Sequence, residues 1–261
     1  MKKFYVVGNK VSKSLSPVIF NYWFKKYKIK AKYEYLELNN KNFDKKIREK
    51  LKEKDLCGLN ITIPFKQKII KHLQSLDKHS TVINAVNCVS TKPKIRGINT
   101  DWTGYYKTLP MTKNLINKNI LLIGYGGASL AIHYLLISKG FKNIIVLNRS
   151  KKALKYQKNN NYTVPLKKIE NYLESADLII NTTPLNPINS RNKKLVKKQT
   201  ILSDIVYSPK ETDFLKAFPN NKKIYGIDML VQQAIPSFKF WFGYKPILDT
   251  GLKQLLERKL K

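Results

Sequence analysis

Residues 59–66, Leu-Asn-Ile-Thr-Ile-Pro-Phe-Lys, set a lysine beside two hydrogen-bonding side chains at the end of an alternating apolar run. Leu59, Ile61 and Ile63 alternate with Asn60 and Thr62. This is the period-2 pattern of a strand with two unlike faces, so Asn60 and Thr62 point the same way. Pro64 lacks an amide hydrogen and ends the strand. Ile69, Ile70, Leu73 and Leu76 then recur at helical spacing, which predicts a helix opening near Phe65 or Lys66. A cation in that first turn faces the positive end of the helix dipole, which disfavours its charged form and suits an amine that exchanges protons. A carboxylate that such an amine could use stands in Asn99-Thr100-Asp101. Asp101 is either the cap of the helix that follows or an acid aimed into a cleft at the exit from a first domain.

Two further clusters offer binding chemistry. In Ser12-Lys13-Ser14-Leu15-Ser16-Pro17, Ser16 reads as an N-cap with Pro17 at the first helical position. Free amides flanked by the Ser14 and Ser16 hydroxyls suit a carboxylate or phosphate. Gly124-Tyr125-Gly126-Gly127-Ala128 follows the apolar run Asn119–Ile123 and opens a helix that ends at Gly140, after which Ile144–Leu147 forms the next strand. Glycines at the strand-to-helix turn of such a unit are the mark of a dinucleotide site, where backbone and helix N-terminus hold a pyrophosphate. The second strand runs into Asn148-Arg149-Ser150-Lys151-Lys152, with no acid to accept the ribose hydroxyls of NAD. An arginine with hydroxyl and lysine neighbours suits the 2′-phosphate of NADP.

The remaining elements must position these groups. Phe4–Val7 and Tyr33–Leu38 read as strands, and Lys41–Lys52 as a helix. Val82–Asn87 leads into a hairpin turning at Lys92-Pro93-Lys94 and returning over Lys94–Ile98. Leu178–Asn181, Ile201–Tyr207 and Ile224–Met229 read as strands, with helices from Val231 and from Asp249. The pattern is α/β throughout, and its change near residue 118 separates two parts.

Composition narrows the partners. Fifty basic against 17 acidic residues give a net charge of +33, yet only five of the basic residues are arginine, and the lysines are spread along the chain. Without a clustered footprint, nucleic acid is not expected as a partner, although a lysine-rich nucleic-acid-binding protein on a degenerate nucleotide fold is the alternative from another class. The field favours anionic substrates and cofactors. Cys57 and Cys88 match no metal spacing and no redox pair, no metal is expected, and both read as reduced thiols of a cytoplasmic protein. The apolar run after Met1-Lys2-Lys3 is too short for a leader, and no stretch is long enough to span a membrane.

From Gly8 to Gly243 the ordered motifs resemble those of the shikimate dehydrogenase family. Besides the segments above, they are Ala85-Val86-Asn87, Asn181-Thr182-Thr183-Pro184, Asp204-Ile205-Val206-Tyr207 and Gly226-Ile227-Asp228-Met229-Leu230-Val231-Gln232-Gln233. The resemblance implies an N-terminal α/β substrate domain over 1–102, rejoined by 231–261, and an NADP-binding Rossmann domain over 103–230, with a cleft between them. It implies reversible NADPH-dependent reduction of 3-dehydroshikimate to shikimate in chorismate and aromatic amino-acid biosynthesis. The nearest alternative is a quinate/shikimate dehydrogenase using NAD or NADP. Carried over by position, Lys66 and Asp101 are the catalytic pair. Ser14, Ser16 and Tyr207 bind the substrate carboxylate, and Thr62, Asn87 and Gln233 its hydroxyls. Gly124, Gly126, Gly127, Ala128, Asn148, Arg149, Ser150, Lys151 and Lys152 hold the nucleotide, with Ile205 and Gly226 near the nicotinamide. A homodimer is an open alternative. Two departures stand out: Lys13 in place of the family's usual histidine, and Asn186-Pro187 in place of its usual Gly-Met.

Overall fold

A computed structural model describes residues 1–110, 116–156 and 162–260. The chain forms two compact units, one of Met1–Gly104 with Val231–Lys261 and the other of Tyr105–Leu230.

The first unit is built from β1 (Lys2–Gly8), α1 (Ser16–Lys26), β2 (Ala31–Glu37), α2 (Phe43–Leu51), β3 (Leu56–Ile61), β4 (Ser75–Leu76), α3 (Lys78–Ile83), β5 (Cys88–Ser90) and β6 (Arg96–Ile98). α4 (Asp101–Tyr106) begins as the chain leaves this unit. The six strands form one sheet in the order β2-β1-β3-β5-β6-β4. β1 pairs in parallel with β2 and β3, while β3, β5 and β6 form an antiparallel run. Cys88 lies opposite Asn60 on β3, three residues along from Cys57, and both thiols are free. At strand rise that offset is about 10 Å, beyond disulfide reach.

Both faces of this sheet are covered, so β3 does not have the polar face that its alternation suggests. Leu59 and Ile61 enter a core with Val7, Ile47, Phe65 and Val89. On the other side Phe20 stacks on Tyr33 at 4.6 Å, and Phe4, Phe24 and Trp241 pack around them. Burying each such ring is worth roughly 1.5–3 kcal/mol. Asn60 is therefore an interior residue, tied to the Tyr33 hydroxyl, the Asn87 carbonyl and the Ser237 hydroxyl. Ile63 lies past the end of the strand and is 61% exposed.

Gly58 of β3 is where the aromatic layer comes closest to the sheet. A Cβ there would sit 2.4 Å from the Trp241 indole nitrogen, which donates to the Val89 carbonyl at 2.9 Å. Gly58→Ala is expected to cost about 1–3 kcal/mol. That corresponds to a melting temperature lower by roughly 5 °C, which thermal denaturation followed by circular dichroism checks.

The second unit contains β7 (Asn119–Ile123), α5 (Gly127–Ser138), β8 (Asn143–Asn148), β9 (Val164–Pro165), α6 (Glu170–Leu173), β10 (Leu178–Asn181), β11 (Ile201–Asp204), α7 (Asp213–Lys216) and β12 (Lys223–Ile224). Its strands are all parallel, in the order β12-β11-β10-β7-β8-β9. Counted from β7 this is 3-2-1-4-5-6, the doubly wound dinucleotide-binding order, whose direction reverses between β7 and β10. Ligands bind at that switch point, at the carboxyl ends of the strands. α8 (Gly226–Phe242) and α9 (Thr250–Leu260) complete the chain.

Three expected elements differ. The strand expected over Ile224–Met229 stops at Ile224, and α8 starts at Gly226 rather than Val231. The alternation of Ile227, Met229 and Val231 with Asp228 and Leu230 resembles a strand, but on α8 it forms part of a broad buried face extending to Ala234 and Phe238. β11 ends at Asp204, because the Asp204 carboxylate accepts the Val206 amide at 3.0 Å and turns the chain. After Pro64 the chain makes a turn and then a short 3₁₀ helix, Lys68–His72, instead of an α-helix opening at Lys66.

His133 of α5 is fully buried, with its Nδ1 3.2 Å from the Tyr125 hydroxyl and its Nε2 without a hydrogen-bond partner among the described residues. Burial lowers its pKa from the ordinary 6.5 to about 4. Between these values the unfolded chain binds the proton and the folded one does not, so stability falls as pH drops from about 6.5 towards 4 and changes little further below. The loss attributable to His133 is of the order of 3 kcal/mol. Urea midpoints at pH 7 and pH 4.5 test this, and His133→Phe is expected to flatten the difference.

Candidate active site

The first unit joins Lys66 to Asp101. The Lys66 Nζ donates to Asp101 Oδ2 at 2.6 Å, and both residues are buried. Lys66 is placed by the turn after β3, where its carbonyl accepts the Val86 amide at 2.8 Å. Since no α-helix opens at Lys66, the dipole argument does not apply there; the aspartate is the partner that acts on the amine. Asp101 occupies the first turn of α4, but its side chain faces Lys66 and Asn87, and Asn99 Oδ1 takes the Asp101 amide. Asp101 thus spends its carboxylate on Lys66 and Asn87 and not on capping α4. Its second oxygen accepts from Asn87 Nδ2 at 2.8 Å.

Asn87 is the hub of a buried polar network. Its Oδ1 accepts the Thr100 amide at 2.6 Å, and its Nδ2 also lies 3.2 Å from Gln233 Oε1. Thr100 Oγ1 reaches Gln233 Oε1 and the Ser237 hydroxyl. Gln233 and Ser237 are one helical turn apart on the same face of α8, so that helix closes the network. Gly104 allows this approach, because a Cβ there would lie 2.7 Å from the Gln233 amide nitrogen. Sequence reading assigned no role to Thr100 or Ser237, and their i,i+4 and motif positions were the available signals. Thr62 is half-buried beside this strand end, with its methyl against Gly8.

Ser14 and Ser16 lie at the entrance to α1. Leu15, not Ser16, is the N-cap, and the Ser14 hydroxyl accepts the Ser16 amide at 3.2 Å. Ser14 thus does the local capping, because a short hydroxyl two residues ahead can reach the free amide. The Glu37 carboxylate accepts the Val11 and Ser12 amides, which holds this loop and keeps the acid below its usual pKa range. Lys13 is exposed. Among the described residues no hydrogen bond joins either serine to the Lys66–Asp101 pair.

In the second unit Gly124 ends β7 at φ +95°, and a Cβ there would lie 2.5 Å from Thr182 Oγ1, at the end of β10. Thr182 in turn donates to the Ile123 carbonyl at 2.6 Å, so the switch point is closely built. Gly126 is the N-cap of α5, and a Cβ there meets nothing within 4 Å. That open backbone, with Gly127 and buried Ala128 beginning the helix, fits a pyrophosphate. At the end of β8 the Asn148 side chain binds the Ser150 carbonyl, while Arg149, Ser150, Lys151 and Lys152 are exposed. This edge is cationic with hydroxyls and no acid, which fits a phosphate ester. Gly226 is packed against Ile205: a Cβ would sit 2.5 Å from both the Ile205 and Val206 carbonyls. Tyr207 is half-buried just beyond, and the Asn186 side chain accepts the Ile188 amide in the loop after Pro184. Asn181 and Asp204, which bond each other, shape the loops that leave β10 and β11.

A doubly wound nucleotide unit with a cationic edge, on one chain with an α/β unit that buries a lysine–aspartate pair, defines a two-unit nicotinamide-dependent oxidoreductase. Residues 6–89 match the shikimate dehydrogenase substrate binding domain, and residues 108–231 match the shikimate / quinate 5-dehydrogenase model. The chain belongs to the shikimate dehydrogenase family. It is 35% identical to a shikimate dehydrogenase (NADP(+)) of Methanosphaera stadtmanae over 97% of this chain and 95% of that one. The crystal structure of shikimate dehydrogenase from Aquifex aeolicus superposes with a TM-score of 0.86 at 31% identity, covering all of this chain and 98% of that one. The Thermus thermophilus enzyme, solved in complex with NADP(H) and shikimate, gives 0.83 at 26% identity, with both chains fully covered.

Proposed function

We propose that this protein interconverts shikimate and 3-dehydroshikimate with NADP, serving the formation of chorismate and the aromatic amino acids. The observation that carries this reading is the buried Lys66–Asp101 pair at 2.6 Å in a chain of this family. Bound NADPH supplies a hydride to the keto carbon. As the carbonyl oxygen gains charge, the Lys66 ammonium gives it a proton, which completes the alcohol and leaves a neutral amine. In the reverse direction the neutral amine takes the hydroxyl proton. Asp101 holds Nζ in position and binds a neighbouring hydroxyl, while Asn87 fixes the other carboxylate oxygen.

The unit of Met1–Gly104 and Val231–Lys261 is read as the substrate domain, and Tyr105–Leu230 as the NADP domain. Ser14, Ser16 and Tyr207 take the substrate carboxylate, and Thr62, Asn87 and Gln233 its hydroxyls. Gly124, Gly126, Gly127 and Ala128 take the pyrophosphate. Asn148, Arg149, Ser150, Lys151 and Lys152 surround the ribose and 2′-phosphate, and Ile205 and Gly226 lie near the nicotinamide. We read the protein as cytoplasmic, which suits a biosynthetic enzyme whose two cysteines are both free thiols. A homodimer is the oligomer to look for by light scattering.

The deciding experiment follows absorbance of the reduced nicotinamide with shikimate and NADP⁺, repeated with NAD⁺ and with quinate. Turnover is expected with shikimate and NADP⁺ above the other pairs, and a folded protein that reduces no NADP⁺ would sink the reading. Arg149→Asp is expected to raise the KM for NADP⁺ about ten- to a hundredfold, since it exchanges a charge-assisted bond for a repulsion. The KM for NAD⁺ should hold or fall.

A further inference from the structure

Tyr125 lies between two glycines of the turn after β7, where a backbone that must approach a pyrophosphate has little use for a large ring. Yet it is buried, and it forms three bonds outside its own turn. Its carbonyl accepts from Lys152 Nζ at 3.1 Å. Its hydroxyl accepts the Lys155 amide at 3.3 Å and lies 3.2 Å from His133 Nδ1. The ring also packs against the His133 imidazole, with centroids 5.7 Å apart. His133 belongs to α5, the helix that the turn opens; among the described residues its second nitrogen has no hydrogen-bond partner, and its ring also packs against Tyr156 with centroids 5.2 Å apart. Meanwhile the Lys152 amide is held by Thr163 Oγ1 at 3.0 Å. The chain after β8 is thus fastened to the glycine turn at one residue, through the Tyr125 carbonyl and the Tyr125 hydroxyl.

We propose that Tyr125, seated on His133, is a positioning residue for recognition of the nucleotide 2′-phosphate. It ties the Lys152–Lys155 segment to the pyrophosphate turn, so that the Arg149 and Lys152 cations are presented in one place. The inference rests on the NADP reading of this site. It concerns selectivity between nucleotides that differ only in that phosphate, and not the chemistry of the substrate.

The test is calorimetric titration of the full chain with adenosine 2′,5′-bisphosphate and with adenosine 5′-monophosphate. The wild type should prefer the bisphosphate; if it shows no preference, the NADP reading fails, and the proposal with it. Given a preference, Tyr125→Phe is expected to lower it about five- to tenfold through weaker bisphosphate binding, with monophosphate binding within twofold of wild type. His133→Phe, which removes the seat while filling its volume, should do the same, and it carries the test should Tyr125→Phe fail to fold. An unchanged ratio, or an equal loss for both nucleotides, overturns the proposal and leaves Tyr125 a packing residue.

Discussion

Lys66→Ala is expected to lower kcat for shikimate oxidation by about two to four orders of magnitude, the range set by loss of a positioned proton-transfer group. The carboxylate contacts assigned to Ser14 and Ser16 are untouched, so KM should move far less. A drop confined to kcat would place Lys66 in the transition state, and a rise confined to KM would make it a binding residue only. The fold should tolerate the change better than the reaction does, because Asp101 keeps its Asn87 bond. A Lys66→Ala enzyme with near wild-type turnover would end the mechanism while leaving the family assignment intact.

Asp101→Asn should have the larger effect on stability. It leaves the Lys66 ammonium buried with no counter-charge, a change that costs about 3–5 kcal/mol when one partner of a buried ion pair is removed. Urea denaturation checks it as a lower midpoint with an unchanged slope. The double variant Lys66→Met with Asp101→Asn removes both charges, and it should recover much of the loss while remaining inactive. Recovery of stability without activity would separate the electrostatic balance of the pair from its chemistry. If Asp101→Asn were as stable as wild type, water would have to reach the ammonium, and the pair would not be as closed to solvent as its burial indicates.

How much was legible before the structure depends on how local each signal is. Asn119–Ile123 and Leu178–Asn181 read as strands over the same residues that form β7 and β10, because short apolar runs bounded by turn residues carry their own signal. The glycine turn and the Arg149 edge were legible for the same reason, as their chemistry is written within a few consecutive residues. Ile63 and Asn60 show where local reading stops. Alternation placed Asn60 on a polar face and Ile63 on an apolar one, but the sheet has helices on both sides and its pairing ends at Ile61. Likewise Ser16 carried an N-cap signal, yet Ser14 makes the bond, a choice set by backbone angles at Leu15 that no residue type dictates.

The sequence by itself determined the α/β class, the nucleotide turn, the cationic edge that suits a 2′-phosphate, and the candidacy of Lys66 and Asp101. Tertiary structure alone decided that these two are partners. They are 35 residues apart, and a hydrogen bond at 2.6 Å is fixed only when β3, the β5–β6 hairpin and α8 pack into one body. It also decided that Thr100 and Gln233 hold Asn87, with Ser237 behind Thr100, and that Tyr125 reaches Lys155 and His133. Partner choice is a matter of distance and burial between remote segments, and composition and periodicity report neither.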